Sequence, residues 1–204
     1  MVDYFALMDE PRRPWLDPAA LKTKFYGLSA TLHPDRTHGA TTPEKEQAHR
    51  QFTELNAAYH CLQDPRQRLR HLLELETGVA ATQVQEVPAA LMDTSLEIAR
   101  LCRETDGFLK QKAAATSRLL QVEVFLQAQQ WSGRLRALQR QIGTRRDAWL
   151  QQLAALDERW MRNTRDGTPQ PPEIISELAE LFRLLGYAQR WDEQVHERIV
   201  QLAV

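Results

Sequence analysis

Asp35 is the residue whose type and setting most suggest chemistry with a partner. It follows His33-Pro34. Proline fixes its own φ and disfavours a helical conformation in the residue before it, so the tripeptide ends a helix and leaves Asp35 in a turn. An ionised Asp is an acceptor only, and from a turn it can take a paired interaction from an arginine on another protein. The plain alternative is a helix stop with a solvated carboxylate. The six histidines, His33, His38, His49, His60, His71 and His196, show no H-E-x-x-H or other metal-ligand spacing, and no Gly-rich phosphate loop is present. His49, His60 and His71 recur every eleven residues, but Pro65 interrupts the helix that would align them. Cys61 and Cys102 stand apart without a CxxC partner, which favours two buried small apolar residues over a zinc site or disulfide framework. The chain is therefore expected not to be an enzyme and to hold no metal or cofactor.

The elements that must position this turn are written in caps and apolar spacing. Asp3 to Met8 predicts a short helix, ended by Asp9-Glu10-Pro11-Arg12-Arg13-Pro14. Asp17-Pro18 supplies an N-cap and a first-turn proline, and Leu21, Phe25, Leu28 and Leu32 recur at helical spacing up to Pro34. Thr42-Pro43-Glu44 repeats the start signal for a helix bearing Phe52, Leu55, Tyr59 and Leu62. Asp64-Pro65 opens a fourth, with Leu69, Leu72, Leu73 and Leu75 before Gly78. The middle two helices form a hairpin around the turn.

Residues 79 to 87 read as a linker. Beyond it, Pro88 to Glu104 carries Leu91, Met92, Leu96, Ile98 and Leu101. A long helical stretch from Phe108 to Asn163 is expected to break near Trp131-Ser132-Gly133, and its second half has apolar residues at 135, 138, 142, 149, 153, 156 and 160, close to a heptad seam. After a loop at Asp166 to Pro172, Glu173 to Leu185, Gly186 and a last helix with Trp191, Val195 and Ile199 complete a helical bundle.

Composition agrees with an all-α fold. The chain has 204 residues; Leu (28) and Ala (24) far outnumber Val (9) and Ile (5), so strong helix formers dominate. Lys plus Arg total 26 against 27 Asp plus Glu, and a net charge of −1 gives no global argument for nucleic acid or an anionic membrane. The segment Met1-Val2-Asp3-Tyr4-Phe5 shows no basic region followed by an apolar stretch, and no apolar run reaches the roughly 18 residues of a membrane span, so a cytoplasmic protein is expected.

With His-Pro-Asp placed between two amphipathic helices, after Asp3-Tyr4-Phe5-x-Leu7 and before Leu55-Asn56-Ala57-Ala58-Tyr59-x-x-Leu62-x-Asp64-Pro65, the sequence resembles a J-domain, the module by which co-chaperones stimulate the ATPase of DnaK-type chaperones. Asp3-Tyr4-Phe5-Ala6-Leu7, the longer first loop with Trp15-Leu16-Asp17, and Arg68-x-x-x-Leu72-Leu73-Glu74-Leu75-x-x-Gly78 are similar to the HscB type, the co-chaperone family of iron–sulfur cluster biogenesis. The resemblance implies an N-terminal J-domain at 1–78, a linker at 79–87 and a client-binding helical bundle at 88–204. It implies that His33, Pro34 and Asp35, with Lys22, Lys24 and Arg36, face a DnaK- or HscA-type chaperone. The chain departs from the family in its uncharged Ser29-Ala30-Thr31-Leu32 before the motif, so a weak electrostatic contribution to docking is expected, with Arg12, Arg13 and Arg36 as candidate compensation or as solvated loop residues.

For the client, the resemblance points to Leu91, Met92, Leu96, Glu97 and Glu104, with Arg100 standing where a carboxylate is usual, and to Tyr187 in Leu185-x-Tyr187-x-x-x-Trp191. Leu and Met at helical spacing are also what a core requires. A long insertion from Ala113 to Asn163 is a further departure. The function implied is a co-chaperone that delivers an iron–sulfur scaffold protein; the alternative is a general J-protein or J-like adaptor whose C-terminal helices recruit another client or self-associate. Charge is uneven in this half: residues 131–165 hold eight Arg and three acids, and 166–204 three Arg and seven acids. Arg134, Arg136, Arg140, Arg145 and Arg146 are read as paired with acidic neighbours or solvated, in preference to a nucleic-acid patch.

Overall fold

The computed structural model describes residues 2–32, 41–79, 88–165 and 169–203. Capping chemistry sets the first boundaries. The Asp3 carboxylate accepts from the backbone N–H groups of Phe5 (2.9 Å) and Ala6 (3.2 Å) to start α1 (Tyr4–Leu7). The Asp17 carboxylate accepts from Ala19 and Ala20 ahead of α2 (Pro18–Leu32). At α3 (Thr42–Gln63), Glu44 accepts from the Thr41 N–H at 2.8 Å, and that bond holds its carboxyl below the usual pKa. Asp64 accepts from Gln67 at 2.7 Å to open α4 (Pro65–Thr77), and Gly78 closes it at φ 68°, a left-handed conformation that an L side chain rarely adopts.

A 3-10 turn (Ala89–Leu91) leads into α5 (Met92–Ala114), followed by α6 (Arg118–Arg165) and α7 (Pro172–Ala203). No strand occurs among the described residues.

Two expected breaks are absent and one unexpected break is present. α6 runs straight through Trp131-Ser132-Gly133, because Ala128, Leu135 and Leu138 bury on one face there while Trp131 stacks near Phe108 at 6.1 Å. That burial outweighs the roughly 1 kcal/mol that a helical glycine costs. α7 likewise continues through Gly186, flanked by buried Leu185, Tyr187 and Ala188. The interruption falls instead at residues 115–117, where Ala115 turns to an extended conformation and the Ser117 hydroxyl accepts from Leu120 N–H at 3.3 Å, starting α6 afresh.

The chain forms two compact units, residues 1–82 with 150–182 and residues 83–149 with 183–204. The expected linker at 79–87 lies, but for residue 79, outside the described residues; in space, 150–182 groups with the first four helices. In this first unit Phe5, Met8, Leu21, Leu55, Leu62, Leu69 and Leu72 are buried with Leu153, Trp160 and Leu178. In the second, Ile98, Leu101, Cys102, Phe108, Leu135, Leu138, Ile142, Trp191 and Val195 form the core. The heptad seam therefore serves both: its residues at 135, 138 and 142 belong to the second unit, and those at 153, 156 and 160 to the first. Both cysteines are buried thiols.

Candidate partner-binding sites

His33, Pro34, Asp35 and Arg36 lie outside the described residues; what the structure gives is the two helices that flank them, α2 and α3. Leu21, buried on the inner side of α2, and Phe25, whose ring stacks on Tyr59 of α3 at 4.1 Å and 14°, pin the hairpin. α1 is tied to α4 through the Tyr4 N–H, which donates to His71 Nε2 at 3.1 Å, with the Tyr4 ring 4.7 Å from the imidazole. Burial pushes the His71 pKa down, as its acceptor role requires.

The basic residues assigned to chaperone docking fall into two situations. Lys22 is exposed, with its ammonium 5.8 Å from the centre of the exposed Tyr26 ring, one turn along α2. Lys24 donates to Glu10 Oε1 at 3.0 Å and to the Asp9 carbonyl oxygen. Burial pulls its pKa down, but the Glu10 and Asp9 bonds outweigh this and hold it above the ordinary lysine value. Tyr26 was not singled out by the sequence reading; the stripe at 21, 25 and 28 was the available signal, because it turns 22 and 26 outward.

Of the loop arginines, Arg12, half exposed, and Arg13 are both held by carboxylates within the fold, whereas Arg36 lies outside the described residues. Arg12 Nε donates to Asp3 Oδ2 at 2.8 Å. Arg13 grips Asp157 through Nε (3.1 Å to each carboxylate oxygen) and Nη2, and this bond raises the Arg13 pKa. The buried Asp157 also accepts from the Trp15 N–H at 3.1 Å, and Trp160 Nε1 donates to the Arg12 carbonyl at 2.8 Å. Arg68, buried, donates to the carbonyls of Pro14 (2.8 Å) and Leu62, and burial pulls its pKa down to about 10. The loop at 9–17 is thus fastened to α4 and to the 150–165 part of α6.

In the second unit the candidate client residues separate by burial. Leu91 is only 3% exposed and Tyr187 is buried beside Trp191, with Arg190 over its ring at 4.5 Å, so both pack the interior. Met92, Leu96 (59% exposed) and Glu97 lie on the outer side of α5. Glu104 is exposed and paired with Arg134 at 3.2 Å and Arg100 at 3.9 Å. Arg134 also covers Trp131 at 4.4 Å, and Arg146 pairs with Asp147, whereas Arg136, Arg140 and Arg145 make no ion pair among the described residues. No group of three or more potential metal ligands occurs among the described residues. No described helix is long and apolar enough to cross a membrane.

Two packed helices, α2 and α3, with His33-Pro34-Asp35 between them in the sequence and a short first helix beside them, are the arrangement of a J-domain protein. Residues 4–71 match the family model described as DnaJ domain. A co-chaperone protein HscB homolog from an Azoarcus species is 34% identical over 111 residues, covering 51% of this chain and 63% of that protein. One from Vibrio cholerae is 30% identical over 116 residues, covering 53% and 67%. The match thus spans less than two thirds of the first of these relatives. Solved structures of chaperone HscB from Vibrio cholerae (TM-score 0.53, 21% identity, 96% of each chain) and of human co-chaperone protein HscB (TM-score 0.53, 20% identity, 97% of this chain and 82% of that one) share the fold. The chain belongs to the HscB family of J-domain co-chaperones.

Proposed function

We propose that this chain is a co-chaperone that stimulates the ATPase of a DnaK- or HscA-type chaperone through His33-Pro34-Asp35 and brings to it an iron–sulfur cluster scaffold protein, in the cytoplasm. The observation that carries the reading is the DnaJ-domain match over residues 4–71, which encloses the tripeptide between α2 and α3. Asp35 accepts from an arginine of the chaperone, with Lys22, Lys24 and Arg36 as basic support. Lys22, beside the exposed Tyr26 ring, is the free part of that support on α2, since Lys24 is already held by Glu10. Residues 1–78 act as the J-domain, 79–87 as the linker, and 88–204 supply the client surface. Within that surface, Met92, Leu96 and Glu97 contact the client, Glu104 borders it, and Leu91 and Tyr187 support it from inside.

Asp35→Asn tests the chaperone half: stimulation of a purified chaperone's single-turnover ATP hydrolysis is expected to vanish while the circular dichroism spectrum stays that of the parent. Undiminished stimulation by that variant would remove the assignment. For the client half, titration of purified scaffold protein against the parent and Leu96→Ser is expected to show a loss of about tenfold or more, the effect of removing one exposed anchor from an interface. Binding to neither protein favours the adaptor with a different client.

A further inference from the structure

We propose that the outer face of α6, from Val122 to Arg140, docks a helical segment of another protein that is apolar at one end and acidic at the other. Val122, Phe125, Leu126, Gln129, Gly133, Arg136 and Arg140 recur at steps of three and four, which places them along one face of a helix with 3.6 residues per turn. That face points away from the core formed by Ala128, Leu135, Leu138 and Ile142. Val122, Phe125 and Leu126 are 61%, 61% and 56% exposed, and a cluster of large apolar side chains left in water is the mark of a contact surface. Phe125 also borders a groove of about 480 Å³ whose walls include Lys112, Ala115, Val124, Ala128 and Leu202, room for an apolar anchor. Arg136 and Arg140, exposed and one turn apart, make no ion pair among the described residues.

The order of chemistry along the axis chooses the occupant. From Phe125 the arginines stand about 16 and 22 Å away at 1.5 Å per residue, so the face is apolar at one end and cationic at the other. A membrane surface needs apolar residues along the whole of one side with cations flanking them, which this face lacks. A second copy fares no better: parallel pairing sets Arg136 and Arg140 against themselves, and antiparallel pairing sets them against Val122 and Leu126. Nucleic acid would use the arginines but leave the apolar end in water. A partner helix with a large apolar residue at one end and two carboxylates some three to four turns away matches both ends at once. These residues belong neither to the J-domain nor to the α5 face, so this surface stands or falls apart from the proposed function.

The test uses the full chain and a synthetic 20-residue helical peptide with Leu and Phe at one end and two Glu pairs at the other, followed by fluorescence anisotropy. Controls are a peptide of the same composition with Glu and apolar residues interspersed, phosphatidylglycerol vesicles and poly(U) RNA. The ordered peptide is expected to bind more tightly than the interspersed one. Arg136→Glu with Arg140→Glu should weaken it about tenfold, the combined effect of two exposed ion pairs turned repulsive. A peptide with Lys in place of Glu should recover binding to that double variant, and Phe125→Ser should weaken both peptides. All three positions are exposed, and circular dichroism checks that the variants fold. Equal binding of ordered and interspersed peptides, indifference to charge reversal, absent rescue, or tighter binding to vesicles or RNA each overturns the proposal.

Discussion

His71 and Asp157 show how single buried polar groups hold the first unit together. His71 accepts the Tyr4 N–H through Nε2, which only the neutral ring can do. Its pKa is lowered, chiefly by burial, from an ordinary value of 6.5. The unfolded chain therefore takes up the proton first as pH falls, so this contribution to stability is complete above about pH 6.5 and is lost as pH drops from there through the lower folded value. The thermal midpoint should fall between pH 7 and 5, and His71→Gln, which keeps an acceptor without the titration, should flatten that decline; an unchanged profile argues against the role. Asp157 satisfies both Arg13 and the Trp15 N–H. Because the Arg13 side chain is 32% exposed and can turn to water, Asp157→Ala should cost about 1–3 kcal/mol and not the full penalty of a buried orphan charge. Chemical denaturation measures it, and an unaltered midpoint would show that the clamp contributes nothing.

At the scale of elements, α6 is decided by burial against local preference. Gly133 sits in its interior, where a Cβ would stand in open space outside its own helix. Gly133→Ala should raise stability by about 0.5–1 kcal/mol, the helix propensity difference, read as a higher thermal midpoint. A chain broken at 131–133 would gain nothing of the kind. The opposite sign is expected at Gly78, where φ 68° makes Ala strained, and Gly78→Ala should lower stability by about 1 kcal/mol.

For the molecule as a whole, the first four helices are not closed on themselves. Leu153, Trp160 and Leu178 are buried in the same unit, and Arg66 lies over the Phe182 ring at 5.1 Å. A fragment ending at residue 82 leaves the apolar surface that meets 150–182 in water. It should melt lower than the full chain and bind more of a hydrophobic dye. A fragment as stable as the full chain would mean that the 150–182 packing adds little. The J-domain of this chain is thus contiguous in sequence but completed in space by residues that follow it by more than seventy positions.

Proline, glycine and short capping side chains act within four or five residues, so α1 to α4 could be read directly from the sequence. Apolar periodicity likewise gave the seam from Leu135 to Trp160, because burial repeats with the helical turn. Sequence could not say where that seam changes partners, nor that α6 and α7 pass through Gly133 and Gly186, since a glycine's local cost is overruled only by packing from residues far along the chain. The same reason separates Leu91 and Tyr187 from Met92 and Leu96. All four are apolar residues on helices, and only the packed fold determines which of them reach water.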